Sequence, residues 1–140
     1  MLTLKPYSAS MLSLGGLLLV AMGIYFALLR PPLLPEDLRY IGFTLQNPKG
    51  NIPGLFNWLQ KVFWVMGGYI FTTGMLFIFI AVTSFRKRLS GAFSVVALAG
   101  ISSIGSMTVV NFIISSDFKW LLLTFTMPWI IALILYRLNK

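Results

Sequence analysis

Four long runs of apolar residues, separated by short polar segments, dominate the pattern along the 140-residue chain. They cover residues 8–29, 62–84, 91–115 and 120–136. Each run approaches or exceeds the ~20 residues that an α-helix needs to cross a bilayer, and none shows the strict alternation of a membrane β-strand. The runs are hydrophobic on every side, which is typical of helices surrounded by lipid. The pattern predicts an all-α, polytopic transmembrane four-helix bundle that forms a single integral membrane domain over residues 1–140.

The composition excludes most other classes of protein. Of all residues, 58% are hydrophobic and only 10% are charged, whereas a soluble domain has about 25% charged residues. The net charge is +8, but the lysines and arginines lie mostly at the ends of the apolar runs, which is typical of membrane proteins and not of nucleic-acid binding. The chain has no cysteine and no histidine. We therefore expect no disulfide, thiol chemistry, zinc site, haem or other cofactor.

Acidic residues are too few for most acid–base chemistry. The three are Glu36, Asp37 and Asp117, and none lies within a predicted span. A proton-coupled pump needs an acidic group inside the membrane, so the sequence argues against one. We expect no catalytic residue. An enzyme that uses the Glu36/Asp37 pair at the membrane surface is the weakest of the alternatives.

The orientation follows from the basic residues in the shortest connection, Arg86-Lys87-Arg88. Short loops weigh most in the positive-inside rule, so this loop is predicted to be cytoplasmic. Four spans then place both termini in the cytoplasm as well. The first run is longer than the apolar part of a signal peptide, and no small-residue cleavage site precedes Arg30-Pro31-Pro32. We interpret it as a retained span.

The longest connection, residues 30–61, is predicted to be a structured extracytoplasmic loop. Pro35-Glu36-Asp37 favours the start of a helix, because proline suits the first helical position and acidic residues complement its positive end. Asn47-Pro48-Lys49-Gly50-Asn51 is typical of a turn, and the segment from residue 52 to residue 64 is predicted to approach the second span along the interface. Two interpretations of the loop stay open: a passive cap on the leaflet, and a docking surface or lid over a pocket between the helices.

Candidate binding residues fall into three groups. The third span is the most polar, and Ser102, Ser106 and Asn111 are candidates for a groove that binds a lipid or small solute; the alternative is that this span is the central packing helix. Arg30 and Arg39 are candidates for lipid phosphate. Candidates for docking a partner are three residues of the loop: Glu36, Asp37 and Trp58.

Glycines recur seven residues apart in the first two spans, as Gly16/Gly23 and Gly67/Gly74. This spacing keeps each pair on one helix face, and small residues allow close packing of helices in a membrane. We expect these pairs to be the surfaces that pack against the third span.

Two segments carry a resemblance to a known class of protein. Leu29-Arg30-Pro31-Pro32-Leu33-Leu34-Pro35-Glu36-Asp37, followed by Phe63-Trp64-Val65-Met66-Gly67-Gly68-Tyr69, resembles uncharacterised small bacterial inner-membrane proteins with four helices. The resemblance covers about the first 80 residues and implies a bacterial inner (cytoplasmic) membrane location. It implies no activity.

These observations favour a non-enzymatic integral membrane accessory or structural protein. It would act by packing its helices against a membrane-protein partner or against a second copy of itself, with membrane lipids as its other neighbours. The alternative is a small transporter or lipid-binding protein that uses the polar groove on the third span. Nucleic acid is not an expected partner.

Overall fold

A computed structural model describes residues 5–42 and 54–138, and within these two ranges the chain forms helices and no strands. The predicted turn over Asn47–Asn51 lies outside the described residues. The α-helices are α1 (Lys5–Ile24), α2 (Pro35–Ile41), α3 (Leu55–Ile80), α4 (Ala92–Gly100), α5 (Ser106–Ile113) and α6 (Lys119–Leu138).

Three π-helical turns extend or join these helices, over Tyr25–Leu29, Ala81–Phe85 and Ile101–Gly105. The first two prolong α1 and α3, and the third connects α4 to α5. The result is four helices that are long and apolar enough to cross a membrane, which we call the first to fourth spans: Tyr7–Leu29, Leu55–Phe85, Ala92–Ile113 and Lys119–Leu138. The prediction of an all-helical chain with four helices that are long and apolar enough to span a membrane is confirmed.

The second span differs most from its predicted bounds, because it begins at Leu55 and not at residue 62. The segment predicted as an interfacial approach is thus continuous helix from Leu55 onwards. Trp58 lies on the first turn of α3 and is 63% exposed. This segment contains the polar residues Asn57, Gln60 and Lys61. Hydropathy identifies the part of a helix that lies in the bilayer, so it did not reveal this polar beginning of the helix.

Packing places the spans in the order two, one, four, three. The first span packs along much of its length against both the second and the fourth, and the third packs against the fourth. The second and third spans meet chiefly near Arg86–Arg88, where the short connection joins them. We call this end of the bundle the basic end, and the opposite end, which carries α2, the α2 end. Away from the basic end, the second and third spans leave an open space between them.

The recurring glycines do form a close seam, but it lies between the first and second spans. A Cβ added to Gly16 would lie 2.8 Å from the carbonyl oxygen of Gly74, and one added to Gly23 would lie 2.5 Å from the backbone nitrogen of Phe71. The expectation that these glycines pack against the third span is wrong. A spacing of seven identifies a helix face but not the neighbour that covers it.

The third and fourth spans are joined by side chains that hydrogen-bond within the bundle. The indole Nε1 of Trp129 donates to the carbonyl oxygen of Val96 at 2.9 Å, and Gly100 leaves the space that the indole ring occupies. Nearer the α2 end, the buried hydroxyls of Thr108 and Thr126 lie 2.8 Å apart. Such bonds contribute about 0.6 kcal/mol each inside a membrane, so they fix the alignment of the two spans more than they add stability.

Candidate functional site

A groove of about 1300 Å³ opens between the second and third spans. The first and fourth spans form its back wall, and α2 lies at one end of it. The groove exists because its two side walls belong to helices that pack on the central pair and not on each other. Its walls are formed by apolar residues of all four spans, including Leu19, Met22, Phe26, Met66, Ile70, Met107, Val110, Leu121 and Phe125.

A row of polar side chains runs along the third-span wall of the groove. It consists of Ser102, Ser103, Ser106 and Asn111, and the nine steps along a helix from the first to the last correspond to about 13 Å. Ser102, Ser106 and Asn111 each donate a hydrogen to a backbone carbonyl one turn earlier, at 2.9 Å. Because each serine hydroxyl has already used its one donor, the serines present oxygen acceptors to the groove, while the Asn111 amide adds its Oδ1 and one remaining N–H.

Arg30 is held at the α2 end of the groove by an ion pair and by two aromatic rings. Its Nη2 donates to Oδ2 of Asp37 at 2.9 Å, and the Arg30 side chain is only 9% exposed. The guanidinium carbon lies 3.7 Å from the ring centre of Phe63 and 5.4 Å from that of Phe26. Asp37 also accepts from the backbone nitrogen of Leu34, which caps the start of α2. Arg30 therefore joins the first span, α2 and the second span.

Glu36 fastens α2 to the connection between the third and fourth spans. The residue is buried, at 7% exposure. Its Oε1 accepts from the hydroxyl of Ser116 at 2.9 Å, and its Oε2 accepts from the backbone nitrogen of Asp117 at 2.7 Å. Ser116 is itself fully buried. We call this set of contacts the Glu36 latch. It closes a link between residues 80 positions apart in the chain.

A second, weaker contact lies beside the latch on the surface. Arg39 Nη2 and Asp117 Oδ2 are 2.7 Å apart, with both side chains more than 60% exposed. The hydrogen bond to Asp117, together with its negative charge, raises the pKa of Arg39 above its usual value. Exposed ion pairs of this kind stabilise a protein by about 0–1 kcal/mol. The pair adds little to the hold that Glu36 provides.

The structure brings some of the predicted site residues together and separates others. Ser102, Ser106, Asn111, Arg30, Glu36 and Asp37 all line the groove. Arg39 and Trp58 do not line it. Arg39 is exposed on α2, and Trp58 is exposed at the start of α3. The carboxylates of Glu36 and Asp37 are used within the chain, in the latch and in the ion pair with Arg30.

The candidates chosen from the sequence leave out several polar residues of the groove, among them Thr73, Ser103 and Lys61. Ser103 lines the third-span wall beside Ser102, and Lys61 lies at the α2 end with its Nζ 3.7 Å from the ring centre of Trp64. Lys61 carried the signal of an interfacial anchor, but its place in the groove depends on the open space between the second and third spans. Nothing in a single sequence states which spans stay apart.

Within residues 5–42 and 54–138, no three side chains of the types that usually bind metals come together. Comparison of the chain with protein-family models, with curated proteins and with solved structures finds no match.

Proposed function

We propose that the protein is a non-enzymatic membrane protein that binds one amphiphilic lipid in the groove between its second and third spans. The observation that carries the proposal is the combination of three features in one cavity. It opens sideways, in the direction from which a lipid arrives; its walls are apolar; and its charged residues gather at the α2 end. An amphiphile has the same division between an apolar body and a polar head.

The size of the groove favours a long ligand. Pockets for drug-sized molecules usually enclose about 300–1,000 Å³, and this groove is larger, at about 1300 Å³. Apolar walls favour acyl chains because each buried CH₂ contributes about 0.8 kcal/mol relative to water. A lipid already in the bilayer gains less, so the polar contacts select which lipid binds.

Charge and hydrogen bonding favour a zwitterionic head with hydrogen-bond donors. At the α2 end, the positive charges of Arg30 and Lys61 are balanced by the negative charges of Glu36 and Asp37. The third-span wall offers oxygen acceptors to a donor. A primary ammonium head satisfies both conditions, whereas a head with net negative charge gains nothing from a balanced site. We propose phosphatidylethanolamine-like amphiphiles as the ligand class.

A crosslinking experiment tests the groove. The purified protein is reconstituted with phosphatidylethanolamine that carries a photoactivatable acyl chain, and crosslinked residues are mapped by mass spectrometry. We expect crosslinks on the inner walls, at Met66, Met107 and Phe125. Ser106→Trp fills the groove and should reduce them several-fold, since a Trp side chain occupies space that the lipid needs.

The matched control places the same bulk on the same helix at a position outside the groove. Val109 is 59% exposed and does not line the groove, so Val109→Trp should leave the crosslinks unchanged. Equal crosslinking in the wild type and in Ser106→Trp, or labelling spread evenly over all lipid-facing surfaces, would contradict the proposal.

A second candidate function uses the same opening for a transmembrane helix of a partner. It retains our expectation of an accessory protein that acts through helix packing, with another membrane protein or with itself. Support comes from the large apolar side chains that flank the opening, such as Tyr69, which is 73% exposed. In this case Ser106→Trp should abolish co-purification of the partner protein. The inner walls should show no lipid crosslinks, even in the wild type.

We also propose that the α2 end faces the outside of a bacterial inner membrane and that both termini are cytoplasmic. The support is the charge of the basic end, where Arg86, Lys87 and Arg88 follow one another. The natural chain has no cysteine, so single cysteines report the side directly. We expect Ser90→Cys to be shielded from a membrane-impermeant thiol reagent in intact cells and Arg39→Cys to be labelled. The reverse pattern would invert the topology.

A further inference from the structure

The basic end holds two arginines against one group of three aromatic rings. The ring centre of Tyr136 lies 4.4 Å from that of Phe85 and 5.6 Å from that of Phe93. The guanidinium carbon of Arg88 lies 4.5 Å from the centre of the Tyr136 ring, and that of Arg137 lies 4.5 Å from the centre of the Phe93 ring. We call these five residues the arginine–aromatic cluster. Contacts of this kind fix the planes of both guanidinium groups.

Arg88 has hydrogen-bonding capacity that residues 5–42 and 54–138 do not use. Its Nη1 donates to the carbonyl oxygen of Tyr136 at 3.0 Å, near the end of α6. Its Nη2 is buried and finds no acceptor among the described residues. A buried donor without a partner is costly, and more so when it carries charge. An acceptor that reached this N–H would remove that cost.

No acidic side chain of the chain is available as this acceptor. The chain has three acidic residues, and Glu36, Asp37 and Asp117 all lie at the α2 end, across the thickness of the bundle. The basic end carries Arg86 and Lys87 in addition to the two arginines of the cluster. The partner of Arg88 must therefore come from outside these side chains, and the local field selects an anion.

We propose that the arginine–aromatic cluster is a binding site for a phosphate group with net negative charge, which no ammonium group in the same molecule neutralises. Planar guanidinium groups bind phosphate through paired, charge-assisted hydrogen bonds. The apolar rings beside them suit a phosphate that is attached to acyl chains, and the cluster lies at the end of the spans, where lipid headgroups are found. The site is separate from the groove, which has balanced charge and lies towards the other end of the bundle.

The test compares phosphatidylglycerol with phosphatidylcholine on the full chain in mild detergent, with bound lipid counted by native mass spectrometry. We expect the wild type to retain phosphatidylglycerol preferentially. Arg88→Gln and Arg137→Gln should each weaken that binding by about tenfold or more, the factor that the loss of a charge-assisted hydrogen bond brings. Arg137 is exposed, so its substitution should not impair folding.

Arg86→Gln is the matched control, because it removes the same charge from the same connection at an exposed residue outside the cluster. We expect its binding of phosphatidylglycerol to stay close to that of the wild type. If Arg86→Gln weakens binding as much as Arg88→Gln, or if both lipids bind equally, the proposal fails. Competition by millimolar inorganic phosphate would identify free phosphate as a sufficient ligand, whereas displacement only by phosphatidylglycerol would identify a lipid headgroup.

Discussion

Replacing Gly67 by alanine is expected to lower the free energy of unfolding by about 3 kcal/mol, at the upper end of the range for overpacked sites. A Cβ there would lie 2.5 Å from the backbone nitrogen of Ala27 and 2.7 Å from the carbonyl oxygen of Gly23. Both atoms belong to the backbone of the first span and cannot rotate away. The two spans must therefore separate along the seam. Unfolding of the purified protein in mixed detergent, followed by circular dichroism, measures the loss.

Gly68 provides the control, since it is the next residue of the same helix. It is exposed, and a Cβ added to it meets nothing within 4 Å. Gly68→Ala should therefore be neutral or stabilise the helix by up to about 1 kcal/mol, because alanine favours helix more than glycine does. Equal losses at Gly67 and Gly68 would show that the close approach of the first and second spans does not govern stability.

Replacing Glu36 by alanine is expected to release α2 from the bundle at a cost of about 3 kcal/mol, the upper range for hydrogen bonds to a charged group. The change leaves the buried hydroxyl of Ser116 and the backbone N–H of Asp117 without their acceptor. Hydrogen exchange should speed up in α2 and in the connection that holds Ser116. The spans themselves should keep their protection, because the latch lies outside them.

Arg39→Gln is the comparison for this prediction. It breaks the exposed pair with Asp117, which lies next to the latch, and should cost no more than about 1 kcal/mol. Glu36→Gln should fall between the two, since the amide keeps one acceptor but places a donor against either Ser116 or Asp117. If Arg39→Gln releases α2 as fully as Glu36→Ala does, the buried latch is not what holds the helix.

The sequence was sufficient for the spans because hydropathy reports a physical requirement of the bilayer. An apolar run of about 20 residues has few other uses, and all four runs became helices. The start of α3 at Leu55 was missed for the same reason, since this first part of the helix carries polar residues. Hydropathy says where lipid surrounds a helix and is silent on how far the helix continues beyond it.

The groove was predictable only in its parts. Ser102, Ser106 and Asn111 stood out because hydroxyl and amide groups are rare in a span, and they do line one wall. The second span forms the opposite wall because of the order in which the helices pack. Glu36 was visible as the start of a helix, but its contact with Ser116 joins distant parts of the chain. A single sequence has no local signal for such a pairing.

The π-helical turn over Ile101–Gly105 was also beyond prediction from the sequence. It contains Ser102 and Ser103 and has Gly100 immediately before it. A π-helical turn holds one residue more than an α-helical turn, and such turns often occur at functional sites. This turn changes the faces that the two halves of the third span present. Gly100 then leaves room for the indole ring of Trp129 on one side of the helix, while Ser102 and Ser103 line the groove on another side.

The pairing of the first span with the fourth sets an order for biosynthesis. A chain leaving the ribosome inserts the first and second spans early, and their glycine seam can close at once. The third span then waits, because its main neighbour is the fourth, and the fourth is translated after it. Until the fourth span is inserted, the serines and Asn111 of the third span cannot take up their positions in the groove wall. The newborn protein must therefore remain in an incomplete form, with the third span unassembled, until the fourth span has been synthesised.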